Sequence, residues 1–148
     1  MTFFNPFGLF FMILIIIPNI VFAIKCKDGF ENISNGKLIK FVEIFEQVGR
    51  YGCFICMIFI IPGTNFGFWS DSAFALYLIF NKIFTLAYCL LWIFCFSKNN
   101  LFKTISLSVI PSVIFLFSGI MSRYVILIIF ALIFAPCHIL ISVLNAKK

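Results

Sequence analysis

Charge is scarce in this sequence: 11% of its 148 residues are Asp, Glu, Lys or Arg, where an ordinary soluble domain carries roughly a quarter. Histidine occurs once and tryptophan twice. There is no glycine-rich phosphate loop, no serine in a recognisable nucleophile elbow and no pair of carboxylates in an aqueous setting. Nothing therefore marks the chain as an enzyme. A soft-metal path through Cys53, Cys56, Cys137 and His138 would need two helices side by side, which spacing alone does not establish, so no metal or cofactor is expected.

What is present is apolar: 64% of the residues are hydrophobic, 23 are phenylalanine and the mean hydropathy is +1.18. A chain this short cannot hide that much apolar surface inside one water-soluble core. The solvent must be lipid, and residues 1–148 read as a single all-α domain, a polytopic bundle of transmembrane helices.

A span needs about 20 mainly apolar residues. Five segments meet or approach that length: residues 7–24, 41–61, 72–96, 104–120 and 124–144. The stretch 104–144 is too long for one crossing, and Ser118, Gly119, Ser122 and Arg123 offer a tight turn inside it. The second segment is uninterrupted only from Tyr51 to Ile61. It must recruit residues 41–50, and that draws their charges into the membrane.

The formal net charge of +6 would suggest nucleic acid in a soluble protein. Here Lys25, Lys27, Lys37 and Lys40, then Lys98 and Lys103, then Lys147 and Lys148 fall between apolar runs, which is a topology signal rather than a nucleic-acid patch. Placing loop 25–40 in the cytoplasm puts these eight inside and leaves only Arg123 outside, so the amino terminus is expected outside and the carboxyl terminus inside. The first segment lacks a basic region before it and is followed at once by Lys25 and Lys27, so it is expected to be a retained span rather than a cleaved signal peptide. The Asn32 sequon then lies in the cytoplasm and is not expected to be glycosylated. The abundance of Phe, Ile, Lys and Asn fits an AT-rich bacterial genome, and the expected location is a bacterial inner (cytoplasmic) membrane. Five of the six cysteines lie in apolar runs and Cys26 lies beside the first basic group; all are expected to be free thiols.

The polar residues inside the spans fall on faces. Glu43, Glu46 and Arg50 share one side of the second helix, with Glu46 four residues before Arg50, the favourable order for an ion pair. Tyr77, Asn81, Thr85, Tyr88 and Trp92 form a stripe on the third. Lys82 stands beside that stripe, roughly 15 Å from either end at 1.5 Å per residue, beyond comfortable snorkelling reach, and should have a partner or a watery pocket. The fourth helix aligns Thr104, Ser108, Ser112 and Gly119, and the fifth Tyr124, Ala131, Ala135, His138 and Ser142. Asn19, Glu46, Arg50 and His138 all lie roughly 7–16 Å from the cytoplasmic ends, which suggests a polar cluster near the inner side. Pro18, Pro111 and Pro136 free backbone carbonyls within spans.

Each feature has a plainer counterpart. The Glu43, Glu46, Arg50 face could be a salt bridge reaching inner head groups, and the small-residue stripes are expected to be packing surfaces. His138 alone reads more readily as hydrogen-bonded structure than as a proton relay. Segment 63–69, with Phe66, Phe68 and Trp69, looks like an interfacial anchor, and Ser70 or Asp71 would cap the third helix.

Ionisable groups within spans are functional candidates by default. Glu43, Glu46, Arg50 and Lys82, with Asn19, Asn81 and His138 as neighbours, point to a small transport-related protein or a transporter accessory. The alternative is a non-catalytic immunity or regulatory subunit that packs its spans against another membrane protein or against itself. A thiol oxidoreductase using Cys53 and Cys56 is a remote third, because that pair lies in mid-span and no outer cysteine pair exists to exchange with it.

Overall fold

The computed structural model describes residues 3–25, 36–96 and 100–147. Cys26, Lys27, the Asn32 sequon, Lys98 and Lys148 lie outside these residues. The described chain forms helices α1 Pro6–Lys25, α2 Lys37–Ile58, α3 Asp71–Phe94, α4 Leu101–Met121 and α5 Val125–Ala146, each within a few residues of an expected span.

The helix starts follow from local chemistry. Asn5 accepts from the Gly8 amide at 3.1 Å and Pro6 occupies the first helical position, where its missing N–H costs nothing. Ser70 caps α3 by accepting from the Ala73 amide at 3.1 Å. Between α4 and α5 the chain turns within four residues, with Arg123 in the left-handed region at φ 50°. That conformation costs a non-glycine residue roughly 1–2 kcal/mol. Arg123 offsets it by donating from Nε to the Gly67 carbonyl at 3.2 Å and lying 5.1 Å over the Trp69 ring.

Four helices, α1, α3, α4 and α5, are long and apolar enough to cross a membrane, and the whole is a helical membrane bundle. α2 is the exception by composition, since Lys37, Lys40, Glu43, Glu46 and Arg50 crowd its first two-thirds. It is held instead by its neighbours. α1 packs on α2 and α3, α3 on α4, α4 on α5, and α5 on α2, so the five helices close into a ring.

Close approach around the ring depends on glycine. A methyl group on Gly8 would overlap the Met57 carbonyl oxygen, and one on Gly49 would lie 2.8 Å from Phe134 Cβ. α1 thus meets α2, and α2 meets α5, almost backbone to backbone, as small residues allow in lipid-solvated bundles. The interior is filled by Met12, Ile15, Cys53, Met57, Ile114, Phe115, Leu127, Ala131 and Phe134, while α1 turns Ile13 and Ile17 outward and α3 turns Ile79, Ile83 and Leu86 outward.

At the amino-terminal end, residues 59–70 lie across the helix mouths. Ile60 N–H donates to the Phe3 carbonyl at 2.9 Å and Val125 N–H to the Thr64 carbonyl at 3.0 Å. Tyr124 Oη accepts from the Ile61 amide at 2.9 Å and donates to the Phe59 carbonyl at 3.1 Å. Phe66 and Trp69 remain largely exposed on this segment, as an interfacial anchor would.

Candidate functional site

The buried stripe on α3 is the one the residue spacing predicts: Tyr77, Asn81, Thr85, Tyr88 and Trp92 all face inward. Asn81 donates from Nδ2 to Ser118 Oγ of α4 at 3.0 Å, and the hydroxyl lies 3.2 Å from Asn81 Oδ1 to return the bond. Tyr88 donates to Asn19 Oδ1 at 2.9 Å, tying α3 to α1. Asn19 in turn donates to the Ile15 carbonyl at 2.9 Å, and the Leu14 carbonyl freed by Pro18 receives the Cys89 thiol at 3.5 Å. Asn19, Asn81, Tyr88 and Cys89 are therefore consumed in joining helices, whereas Thr85 Oγ1 and Trp92 Nε1 of the same stripe are buried without a hydrogen-bond partner among the described residues. Ser108 and Ser112 on α4, and Ser122 at its C-terminal cap, instead bond back to carbonyls three or four residues earlier in the same segment, which leaves their faces smooth for packing.

The charged centre is built across α2 and α5. Glu46 is 2% exposed, and its Oε1 accepts from Arg50 one turn further along α2 and lies 3.0 Å from His138 Nδ1 on α5. His138 stacks on Phe134, with ring centroids 4.7 Å apart at 20°. Gly49 and Gly52 let α5 approach closely enough for the imidazole to reach, because larger residues would strike Phe134 and Phe130. About a third of the Arg50 side chain and a fifth of the His138 side chain stay exposed, while Glu46 between them is enclosed.

Glu43 sits one turn away and half-buried, beside Ile39, Ile141, Leu144 and Asn145, and joins neither Arg50 nor His138. Lys82 departs from expectation. Its side chain is exposed on the outer surface beside Ile79, Ile83 and Leu86, and among the described residues it contacts neither Glu43, Glu46 nor the cavity described below. The reason is angular: it is one residue on from Asn81, hence about 100° round the helix from the buried stripe.

The structure brings in one cation that spacing did not single out. α4 begins at Leu101, three residues earlier than expected, which draws Lys103 into its first turn. Lys103 is 5% exposed, donates to the Phe96 carbonyl at 3.1 Å and lies 5.0 Å over the Phe22 ring and 5.3 Å over that of Trp92. Its steps to Ile110 and Ile114, at i+7 and i+11, were the available sign of an inward face.

A half-open cavity of about 210 Å³ lies at the amino-terminal end, lined among others by Asn5, Cys56, Tyr77, Ser118, Ser122 and Tyr124. This cavity is thus at the end opposite the expected inner cluster. By register, Cys53, Ala131 and Phe134 stand between this cavity and Glu46, and each is at most 2% exposed. Cys53 and Cys56 are buried free thiols in the last two turns of α2. α2 and α5 do lie side by side, which spacing alone could not establish, yet among the described residues no group of three or more His, Cys, Asp or Glu is placed to hold a metal. No family model, curated protein or solved structure matches this chain.

Proposed function

We propose that this chain is a small transport-related membrane protein, or an accessory of one, in which Glu46 and His138 form a proton- or cation-handling centre. One observation carries the proposal: a carboxylate 2% exposed within a lipid-solvated bundle, shared between Arg50 on its own helix and an imidazole on the next. Burying such a group is expensive, and ionisable residues within spans are retained chiefly where they serve a pathway or a partner. The imidazole and the carboxylate stand 3.0 Å apart, within hydrogen-bond distance, with the Arg50 guanidinium on the same carboxylate oxygen. Buried Cys53, Ala131 and Phe134 stand between the centre and the amino-terminal cavity, so flux requires that layer to move. The supporting orientation is the one the basic loops imply, with Glu46 in the cytoplasmic half of a bacterial inner membrane.

Purified protein in vesicles with an internal pH dye tests this. Wild type should dissipate an imposed proton gradient or couple it to a solute, and Glu46→Gln, which keeps an acceptor for Arg50, should remove that flux while leaving the thermal unfolding midpoint nearly unchanged. Vesicles with wild type that hold their gradient as well as empty ones, for every solute tried, overturn the proposal. The second reading, a non-catalytic immunity or regulatory subunit, has the outward placement of Lys82 on its side, because that residue asks for a partner and not for a flux.

A further inference from the structure

Lys82 lies eleven residues after Asp71 and twelve before Phe94 on α3, near the middle of a membrane-length helix. At 1.5 Å per residue that is roughly 16–18 Å from either end, whereas a lysine side chain reaches roughly 6 Å, so neither interface is within snorkelling range. Its surroundings on that face are Ile79, Ile83 and Leu86, all more than half exposed. An ammonium held against hydrocarbon at this depth costs several kcal/mol at least. Three carboxylates occur among the described residues, and none can meet it from within the chain: Glu46 is committed to Arg50 and His138, Glu43 faces the α5 side, and Asp71 is eleven residues away on the same helix.

We infer that the Ile79, Lys82, Leu86 face of α3 is a docking surface for a transmembrane helix of a different protein that carries an unpaired carboxylate near mid-membrane. The charge fixes the chemistry of the partner, and the depth fixes where its acid must stand. A second copy fits poorly. Copies related by an axis along the membrane normal keep each residue at its own depth, and among the described residues no carboxylate stands at the depth of Lys82: Asn81 pairs with Ser118 on the amino-terminal side of the Phe134 layer, whereas Glu46 lies beyond that layer, buried and already shared. The flanking isoleucines and leucine supply an apolar surface for the partner's backbone to lie on, so the pair forms in a dry contact where a charged hydrogen bond is strong. This inference rests on the interaction reading of the chain and is independent of any flux through Glu46.

The test uses the full-length protein in phosphatidylcholine vesicles with synthetic 22-residue Leu/Ala transmembrane peptides bearing Glu, Gln or Leu at the centre, and reads association by energy transfer. The Glu peptide should associate about fivefold or more tightly than the Gln or Leu peptide, in keeping with interhelical polar contacts in lipid. Lys82→Met should erase that preference, and Lys82→Glu should transfer it to a peptide with central Lys. Equal association of the three peptides with wild type overturns the inference. So does strong self-association of wild type that Lys82→Met abolishes, since that would make a second copy the partner. In cells, a photo-crosslinker at Ile79, compared with one at Leu132 on the far side of the ring, separates the two ways of failing. Site-specific capture at Ile79 without a Glu-peptide preference overturns the carboxylate chemistry alone, and no capture at Ile79 overturns the interaction reading with it.

Discussion

Glu46 and Lys82 both stand well inside their helices, twelve residues from the Ile58 end of α2 and eleven from the Asp71 end of α3, and the bundle treats them in opposite ways. Glu46 turns inward at the α2–α5 seam and receives two partners. Lys82 turns outward and, among the described residues, receives none. Depth sets the cost of a charge in lipid, while the angle around the helix decides whether the chain itself or a neighbour must meet it. Asn81 makes the point within a single helix, because it is buried and paired with Ser118 while the next residue is exposed.

The contrast breaks most visibly at Glu46. Glu46→Leu strands Arg50 and His138 without their shared acceptor, and removing one member of a buried pair costs roughly 3–5 kcal/mol. Arg50 keeps about a third of its side chain exposed, so the loss should fall near the low end, about 3 kcal/mol. Unfolding by steric trapping in micelles measures it. A loss below about 1 kcal/mol, within the range of an exposed pair, would show that Glu46 is no better housed than Lys82.

Next comes the seam that admits His138. A side chain on Gly49 must displace Phe134 and with it α5, so Gly49→Leu should cost about 1–3 kcal/mol by overpacking. It should also weaken the Glu46–His138 contact one turn away. The double substitution Gly49→Leu with Glu46→Leu should therefore cost clearly less than the sum of the two, as coupled neighbours do. Strict additivity would separate the glycine seam from the charged centre.

How much of this was legible in the sequence follows the same division. The five helices were, because lipid demands apolar runs of fixed length and the turn at Ser122 and Arg123 interrupts the longest of them. The α3 stripe was, because polar residues at steps of three and four share one face whatever lies opposite. The Glu46–Arg50 pair was, being local to one helix. Partners on other helices were not: His138 reaches Glu46 only because α5 abuts α2, and ring order is a property of loops and packing that no single-helix projection contains. Lys82 adjoined a buried stripe by one residue, and depth alone made it look like an interior group. Lys103 counts in the sequence only as a loop charge for the converse reason, as a helix start three residues early turns that loop cation into a buried one.

A smaller effect sharpens the contrast at Asn81. Asn81→Leu removes a two-way bond to Ser118 from a buried position, and interhelical polar pairs in lipid contribute about 0.6–2 kcal/mol. The loss should lie in that range, and Ser118→Ala added to it should change stability little further, since the bond is already gone. A full second loss would mean that Ser118 contributes through packing and not through Asn81.

The smallest effect is expected one residue on. Lys82→Met keeps the length of the side chain, removes its charge and disturbs no bond within the described residues, so the stability of the isolated protein in micelles should move by no more than about 0.5 kcal/mol, as at other surface positions. In a bilayer the same substitution deletes an ammonium facing hydrocarbon, and the direction should reverse toward stabilisation, because the charged form is costly there. The two solvents thereby distinguish a lipid-facing charge from an inward one: Glu46→Leu weakens the bundle in both, and Lys82→Met weakens it in neither. A loss above about 1 kcal/mol for Lys82→Met in micelles, the size of a broken interior contact, would place Lys82 inside the bundle's own network and remove the need for a partner helix.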